Sequence, residues 1–258
     1  MSLELQHPAV APQRLSHQFE QIDQQNDSYI VGMWTFLVTE IMFFGALFVA
    51  LTVYRSVYPD AFEQAHNALN VWLGLTNTFI LLTSSFTAAM AVRSKMLGQR
   101  ALTLVFLGFT ILCAFGFLGV KYVEYSAEFR EHHFPGPNFQ WSQTVSSAPA
   151  QGDLAANSQV ALGAPKVGVN EFPASYQPQQ LELHKRELFF SLYFVMTGLH
   201  AFHVIIGICT LSTLWLLIYF KHPVVDDYMP VELAGLYWHF VDIVWIFLYP
   251  LVYLIGKQ

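Results

Sequence analysis

Charge is what this chain has least of. Asp, Glu, Lys and Arg make up 12% of its 258 residues, where a soluble domain carries about a quarter. Cysteine is almost absent: Cys113 and Cys209 each sit in an apolar run, and nothing in their spacing suggests a disulfide or a metal site. No basic cluster interrupts the diffuse net charge of -6, which excludes nucleic acid as a partner. The N-terminus has no positive stretch leading into an apolar run, so no cleavable signal peptide is expected. No internal repeat is evident, and an inverted-repeat transporter gains no support.

What is abundant is apolar surface. Hydrophobic residues account for 54% of the chain, and the mean hydropathy is +0.41. Five stretches are long enough to cross about 30 Å of hydrocarbon at about 1.5 Å per residue. They run from Tyr29 to Tyr54, Leu69 to Val92, Ala101 to Ala127, Glu187 to Tyr219 and Val231 to Ile255. Tyrosines such as Tyr54, Tyr58, Tyr122, Tyr125 and Tyr219 gather near their ends, as in interfacial belts. The expected fold is an all-α integral membrane protein. Residues 1–28 form a polar N-terminal tail and residues 29–127 the first three spans. Residues 128–186 form a long loop, and residues 187–258 the last two spans.

Orientation follows from the short turn Arg93-Ser94-Lys95-Met96-Leu97-Gly98-Gln99-Arg100, which holds three cations and no acid. By the positive-inside rule it is cytoplasmic, which puts the N-terminus inside and the C-terminus in the periplasm. The tail then carries Glu4, His7, His17, Glu20, Asp23 and Asp27 on the cytoplasmic side, with only Arg14 as a cation. The long loop contains Phe134-Pro135-Gly136-Pro137-Asn138 and a Gly/Ala/Ser/Gln/Pro-rich middle, a composition that builds no core of its own. It is expected to lie over neighbouring subunits.

Polar groups inside the spans mark the candidate sites, because intramembrane ionisable residues are costly. In the last span, Glu232, His239 and Asp242 fall on one stripe through offsets of seven and three. Glu40 sits near the middle of the first span, either as a hydrogen-bonded structural acid or as a lipid- or proton-linked carboxyl. His200 and His203 share a face of the fourth span, where Gly198 and Gly207 would admit a close neighbour. By rise per residue, His200 and His239 reach a similar depth, roughly 20 Å below the outer surface, which leaves a bis-histidine haem open. Metal ligation finds no clustered ligand set. Lys121 and Glu124 either pair or let Lys121 snorkel. Together Glu124, His200, His203, Glu232, His239 and Asp242 are expected to form an interhelical polar network. Glu40, Arg93, Lys95 and Arg100 are the lipid- or proton-linked candidates.

These stretches resemble one family closely. Trp34 to Phe44, Asn77 to Leu82, Gly119 to Tyr125, Gly198 to Gly207 and Tyr237 to Tyr249 match, in order, the spans of subunit III of haem-copper terminal oxidases. The runs Tyr237-Trp238-His239-Phe240-Val241-Asp242 and Thr197-Gly198-Leu199-His200-Ala201-Phe202-His203-Val204 are the most specific. The resemblance is nearer the cytochrome c oxidase branch than the quinol oxidase branch, in the five-span form seen in bacteria. It implies a non-catalytic subunit of an aerobic respiratory complex in the bacterial plasma membrane, stabilising subunit I and supporting proton uptake during oxygen reduction. Haem and copper would lie in partner subunits and none in this chain. Subunits I and II, a small subunit IV and a respiratory supercomplex are the implied partners. The five spans would fall into two groups, two plus three, around a cleft that holds phospholipid. Subunit III of a quinol oxidase and an accessory subunit of a nitric oxide reductase are the nearest alternatives. A membrane cytochrome b and a transporter are more distant ones.

Overall fold

The structure, a computed structural model, describes residues 15, 17–60, 62, 71–130 and 178–254. Among the described residues there is no strand. Five long helices carry the chain: α1 (Ile22–Val57), α2 (Val71–Met96), α3 (Arg100–Arg130), α4 (Pro178–Tyr219) and α5 (Met229–Tyr249). A single 3-10 turn, Pro223–Val225, links α4 to α5, and a π-turn, Pro250–Leu254, extends α5. All five helices are long and apolar enough to cross a membrane.

The helices outrun the expected spans. α1 begins at Ile22, so Asp23 and Asp27 ride on its first turns rather than on a free tail. α4 begins at Pro178, within the stretch expected as loop, and its 42 residues reach about 63 Å. Polar sequence continues a helix into water readily, since the backbone bonds are already made inside it. Glu4, His7, Arg14 and most of the 128–186 loop lie outside the described residues.

Glycine or its absence shapes the turns. Gly98 adopts φ +69° and closes the α2–α3 hairpin. At the end of α4 the left-handed position is held by Lys221 at φ 55°. There Lys221 N–H donates to Ile218 O at 3.2 Å and His222 N–H to Leu217 O at 2.9 Å, which ends the helix.

The packing departs from the expected two-plus-three grouping. α2 lies against α3 and α5, whereas α1 lies against α5 and α4. The reason is the small-residue face of α2, where Gly74, Ser84, Ala88 and Ala91 are buried. A Cβ at Gly74 would sit 2.7 Å from the ring of Tyr249, and one at Gly235 would sit 2.9 Å from Val92. That face docks onto α5, so α2 is not one arm of a cleft with α1. Gly207 likewise admits Trp238, to which a Cβ would come within 2.7 Å; Gly198, expected to do the same, has no neighbour within 4 Å. α5 is the central helix, buried along most of its length.

Candidate functional site

Two polar clusters and several isolated groups occupy the helix interfaces. The first cluster centres on α3. Lys121 and Glu124, both 3% exposed, pair at 2.8 Å. Lys121 Nζ also donates to Tyr253 Oη at 2.8 Å and lies 4.7 Å from the centre of the Trp245 ring. Tyr193 Oη of α4 donates to Glu124 Oε1 at 2.9 Å, and Tyr253 Oη donates to the same oxygen. One turn away, the Tyr125 and Thr197 hydroxyls meet at 2.6 Å. A lysine and a carboxylate are therefore held together by two phenols from two other elements. Sequence reading named Glu124 and the pairing but missed Tyr193 and Tyr253. The signal was present: stepping from Asp242 by three or four residues leads through Trp245 and Tyr249 to Tyr253.

The second cluster joins α1, α4 and α5. Glu40 Oε2 lies 3.3 Å from His203 Nε2, while His203 Nδ1 is 2.8 Å from Leu199 O. Tyr237 Oη donates to His203 O at 3.1 Å. Phe44 packs edge-on against both His203 and Phe240. Glu40 thus belongs to the interhelical set.

Hydroxyl groups fasten α2 to its neighbours. Trp238 Nε1 donates to Ser84 Oγ at 3.0 Å and Trp245 Nε1 to Thr78 Oγ1 at 3.1 Å. Ser85 Oγ meets His239 Nδ1 at 2.6 Å. Thr87 and Thr110 join α2 to α3 at 2.8 Å.

The expected single network is not continuous. His200 is 1% exposed, and neither ring nitrogen has a hydrogen-bond partner among the described residues. It packs against Phe117 and Trp245 at 5.6 and 5.2 Å between ring centres. Being level with Trp245, it lies six residues along α5 from His239, about 9 Å. His239 meanwhile faces Ser85 on α2. The matched depth that left a bis-histidine haem open is therefore absent. Asp242 Oδ1 and both side-chain polar atoms of Asn77 are also buried without a hydrogen-bond partner among the described residues. Glu232 is half-buried and joins no side-chain hydrogen bond among them. No group of three or more His, Cys, Asp or Glu side chains among them could hold a metal ion.

The cationic turn is tied to α4. Arg100 Nε donates to Ile218 O at 2.9 Å, and its Nη2 donates to Tyr219 O. Lys95 Nζ donates to Val225 O and, at 3.4 Å, to Asp226 O. Both cations therefore serve carbonyls at and beyond the C-terminus of α4, where positive charge is favoured. Arg93 is exposed. Lys95, Arg100, Lys221, His222 and Asp226 line a cavity of about 400 Å³ at this end of the bundle. The start of α1 lies at the same end. Burial pushes the Tyr228 hydroxyl above its ordinary pKa, and the charges of Glu232, Asp227 and Asp23 push it further.

Residues 184–257 match the family model for cytochrome c oxidase subunit III. Over 245 residues the chain is 26% identical to a probable quinol oxidase subunit 3 from Staphylococcus saprophyticus, covering 94% of this chain and 98% of the relative. A Staphylococcus aureus protein of the same name is 26% identical over 247 residues, with coverage of 94% and 98%. Over residues 184–257 the chain is therefore similar to cytochrome c oxidase subunit III, and over most of its length to proteins named quinol oxidase subunit 3. Its five long apolar helices fit a multi-pass membrane protein. The matched region holds α5 whole and most of α4, including His203, Tyr237 and Tyr253.

Proposed function

We propose that this chain is the non-catalytic subunit III of a respiratory terminal oxidase, a scaffold that steadies the redox-bearing subunit I and supports its proton supply. The observation that carries this reading is where the interior polar groups go. Lys121, Glu124, Tyr193, Tyr253, His203 and Glu40 are engaged in joining helices. Such an interior suits a scaffold. Haem and copper then belong to partner subunits, with subunit II and a small subunit IV completing the complex.

The N-terminus lies on the cytoplasmic side in this reading, with the C-terminus periplasmic. The three cations of the α2–α3 turn support that orientation. Phospholipid is a further ligand of the reading; the cationic cavity near Lys95 and Arg100 supports it, since anionic headgroups are drawn to such turns at about 1 kcal/mol per cation. Two names bear on the electron donor. The family model is named for cytochrome c oxidase, and the full-length relatives for quinol oxidase. The full-length likeness favours a quinol donor as the second reading.

The test is purification of the tagged chain from native membranes in mild detergent. Co-purification of a large subunit carrying haem and copper is the expected result, with oxygen uptake assayed on reduced cytochrome c and on quinol in parallel. A chain that purifies alone and transports a solute, or itself carries stoichiometric haem, would overturn the reading.

A further inference from the structure

Four aromatic side chains of α5 and its extension form a ladder. Trp238, Trp245, Tyr249 and Tyr253 follow one another over about 20 Å of axis. The Trp245 and Tyr253 rings lie 6.5 Å apart between centres, and Tyr249 stacks on Tyr253 at 5.5 Å. Tyr193 of α4 continues from Tyr253 at 6.4 Å. Trp238, Trp245, Tyr193 and Tyr253 are at most 1% exposed, so bulk water takes no proton from them. Rings at such separations pass an electron from one to the next by tunnelling.

The tryptophan and tyrosine ends differ in what receives the acidic hydrogen. Trp238 Nε1–H donates to Ser84 Oγ at 3.0 Å and Trp245 Nε1–H to Thr78 Oγ1 at 3.1 Å. A hydroxyl is a weak base. Tyr193 and Tyr253 both donate to one oxygen of the Glu124 carboxylate, a far stronger base. A ring that loses an electron becomes strongly acidic, so oxidation is easiest where a base already holds the proton. An electron vacancy made on either tryptophan therefore settles on the tyrosine pair.

We infer that the α3 cluster is a redox-active tyrosine site, which collects one-electron oxidising equivalents from α5 and holds them as a neutral tyrosyl radical. The inference rests on the oxidase reading, which sets the chain beside oxygen chemistry; the oxidant class is a peroxyl radical. That radical takes one electron from Trp245 and a proton from water, giving a hydroperoxide and hydroxide. Trp245 regains the electron from Tyr253. In the same step the Tyr253 O–H bond breaks and its proton forms an O–H bond on Glu124 Oε1. A quinol-class reductant, oxidised by one electron, then restores the phenol as Glu124 returns the proton. Lys121 keeps its hydrogen bond to Tyr253 Oη throughout. The rings of Tyr125, Tyr193, Trp245 and Tyr253, all within 5.9 Å of Lys121 Nζ, steady the ammonium while Glu124 is neutral.

The test attaches a thiol-reactive ruthenium photosensitiser to Cys209 of the full chain in nanodiscs, with Cys113→Ala to leave one thiol. Cys209 is exposed and lies close along α4 to Gly207, which abuts Trp238. A laser flash with a soluble cobalt(III) acceptor oxidises the ruthenium, which draws one electron from the protein. Electron paramagnetic resonance of frozen samples is expected to show a tyrosyl radical. Tyr193→Phe combined with Tyr253→Phe is expected to abolish it and leave a tryptophanyl signal, whereas Tyr249→Phe keeps it. Glu124→Gln, which retains the shape but not the base, is expected to shift the signal to tryptophan. No tyrosyl signal in the otherwise unaltered chain, or one that survives the double variant, overturns the inference and leaves the subunit III reading standing. In the intact complex, a peroxyl-generating azo compound is expected to oxidise Trp238 and Trp245 more in the double variant than in the unaltered chain, read by peptide mass spectrometry. Equal oxidation overturns the role as a radical sink. A chain that carries no large subunit overturns the oxidase reading, and with it the peroxyl source, while the flash result still decides the tyrosine site.

Discussion

Replacing Glu124 with alanine strips the buried α3 cluster of the carboxylate that pairs with Lys121. Lys121 then keeps Tyr253 Oη at 2.8 Å and the Trp245 ring at 4.7 Å, but loses the carboxylate that pairs with it at 2.8 Å. Removing one member of a buried ion pair costs about 3–5 kcal/mol, because the survivor's charge stays desolvated. Lys121→Met is milder, since Glu124 keeps two phenol donors; the loss is about 1–3 kcal/mol, the range for a disrupted buried hydrogen-bonded group. Combining Lys121→Met with Glu124→Leu removes both charges and leaves the Tyr193 and Tyr253 hydroxyls 3.3 Å apart, able to bond each other. The pair of changes is therefore expected to cost less than the sum of the two corresponding single changes, by at least about 2 kcal/mol. Equilibrium unfolding of the purified chain in bicelles, by steric trapping, measures all of these. Additivity within about 0.5 kcal/mol, or single changes each below about 1 kcal/mol, would refute the claim that this cluster acts as one unit.

Three other outcomes follow from the packing and the charges. Gly207→Ala should destabilise the bundle by about 1–3 kcal/mol, because its Cβ meets Trp238 at 2.7 Å, whereas Gly198→Ala, with open space around it, should be neutral or stabilising; thermal unfolding of the two variants compares them. His203→Leu removes the partner of Glu40 and should lower stability by about 0.6–1.7 kcal/mol, read in the same unfolding assay; a loss matching that of Gly207→Ala would mean that the histidine fills space rather than bonds. Neutralising Glu4, His7, His17, Glu20, Asp23 and Asp27 together should slow oxygen uptake of the intact complex more as pH rises, and less in high salt, since a local negative field concentrates protons; an unchanged pH profile would remove the proton-supply role of this segment.

The five crossings were legible because each is a long apolar run, and run length is the strongest signal a membrane sequence carries. His203 and Glu124 were legible as inward-facing groups for the related reason that hydrocarbon tolerates few charges, whereas Glu40 read equally as a structural acid or a lipid- or proton-linked carboxyl. The neighbours of each helix were not. Which face of α2 docks on α5 depends on Gly74, Ser84 and Ala88, whose value lies in what they leave room for. Glu232, His239 and Asp242 read as one stripe, yet the edge of α2 falls between them. Asp242 is buried, while His239 and Glu232 are only half-buried. Tyr253 lay on the helical step from Asp242 through Trp245 and Tyr249, but beyond Pro250, where the π-turn begins.

The central place of α5 has a consequence for biogenesis. It leaves the ribosome after the other four, yet side chains from all four close on it: Phe44 on Phe240, Ser84 on Trp238, Phe117 on Trp245 and His200 on Trp245. The α2–α3 hairpin can form early. Glu124, His203 and Ser85 wait for Tyr253, Tyr237 and His239, which lie in α5 and the turn that extends it. Until α5 and its extension are made, the nascent bundle shows the membrane an open seam of carboxylate, imidazole and hydroxyl groups. A chain cut short before Met229 would carry that seam permanently, a mark by which membrane quality control can tell an unfinished subunit from a finished one.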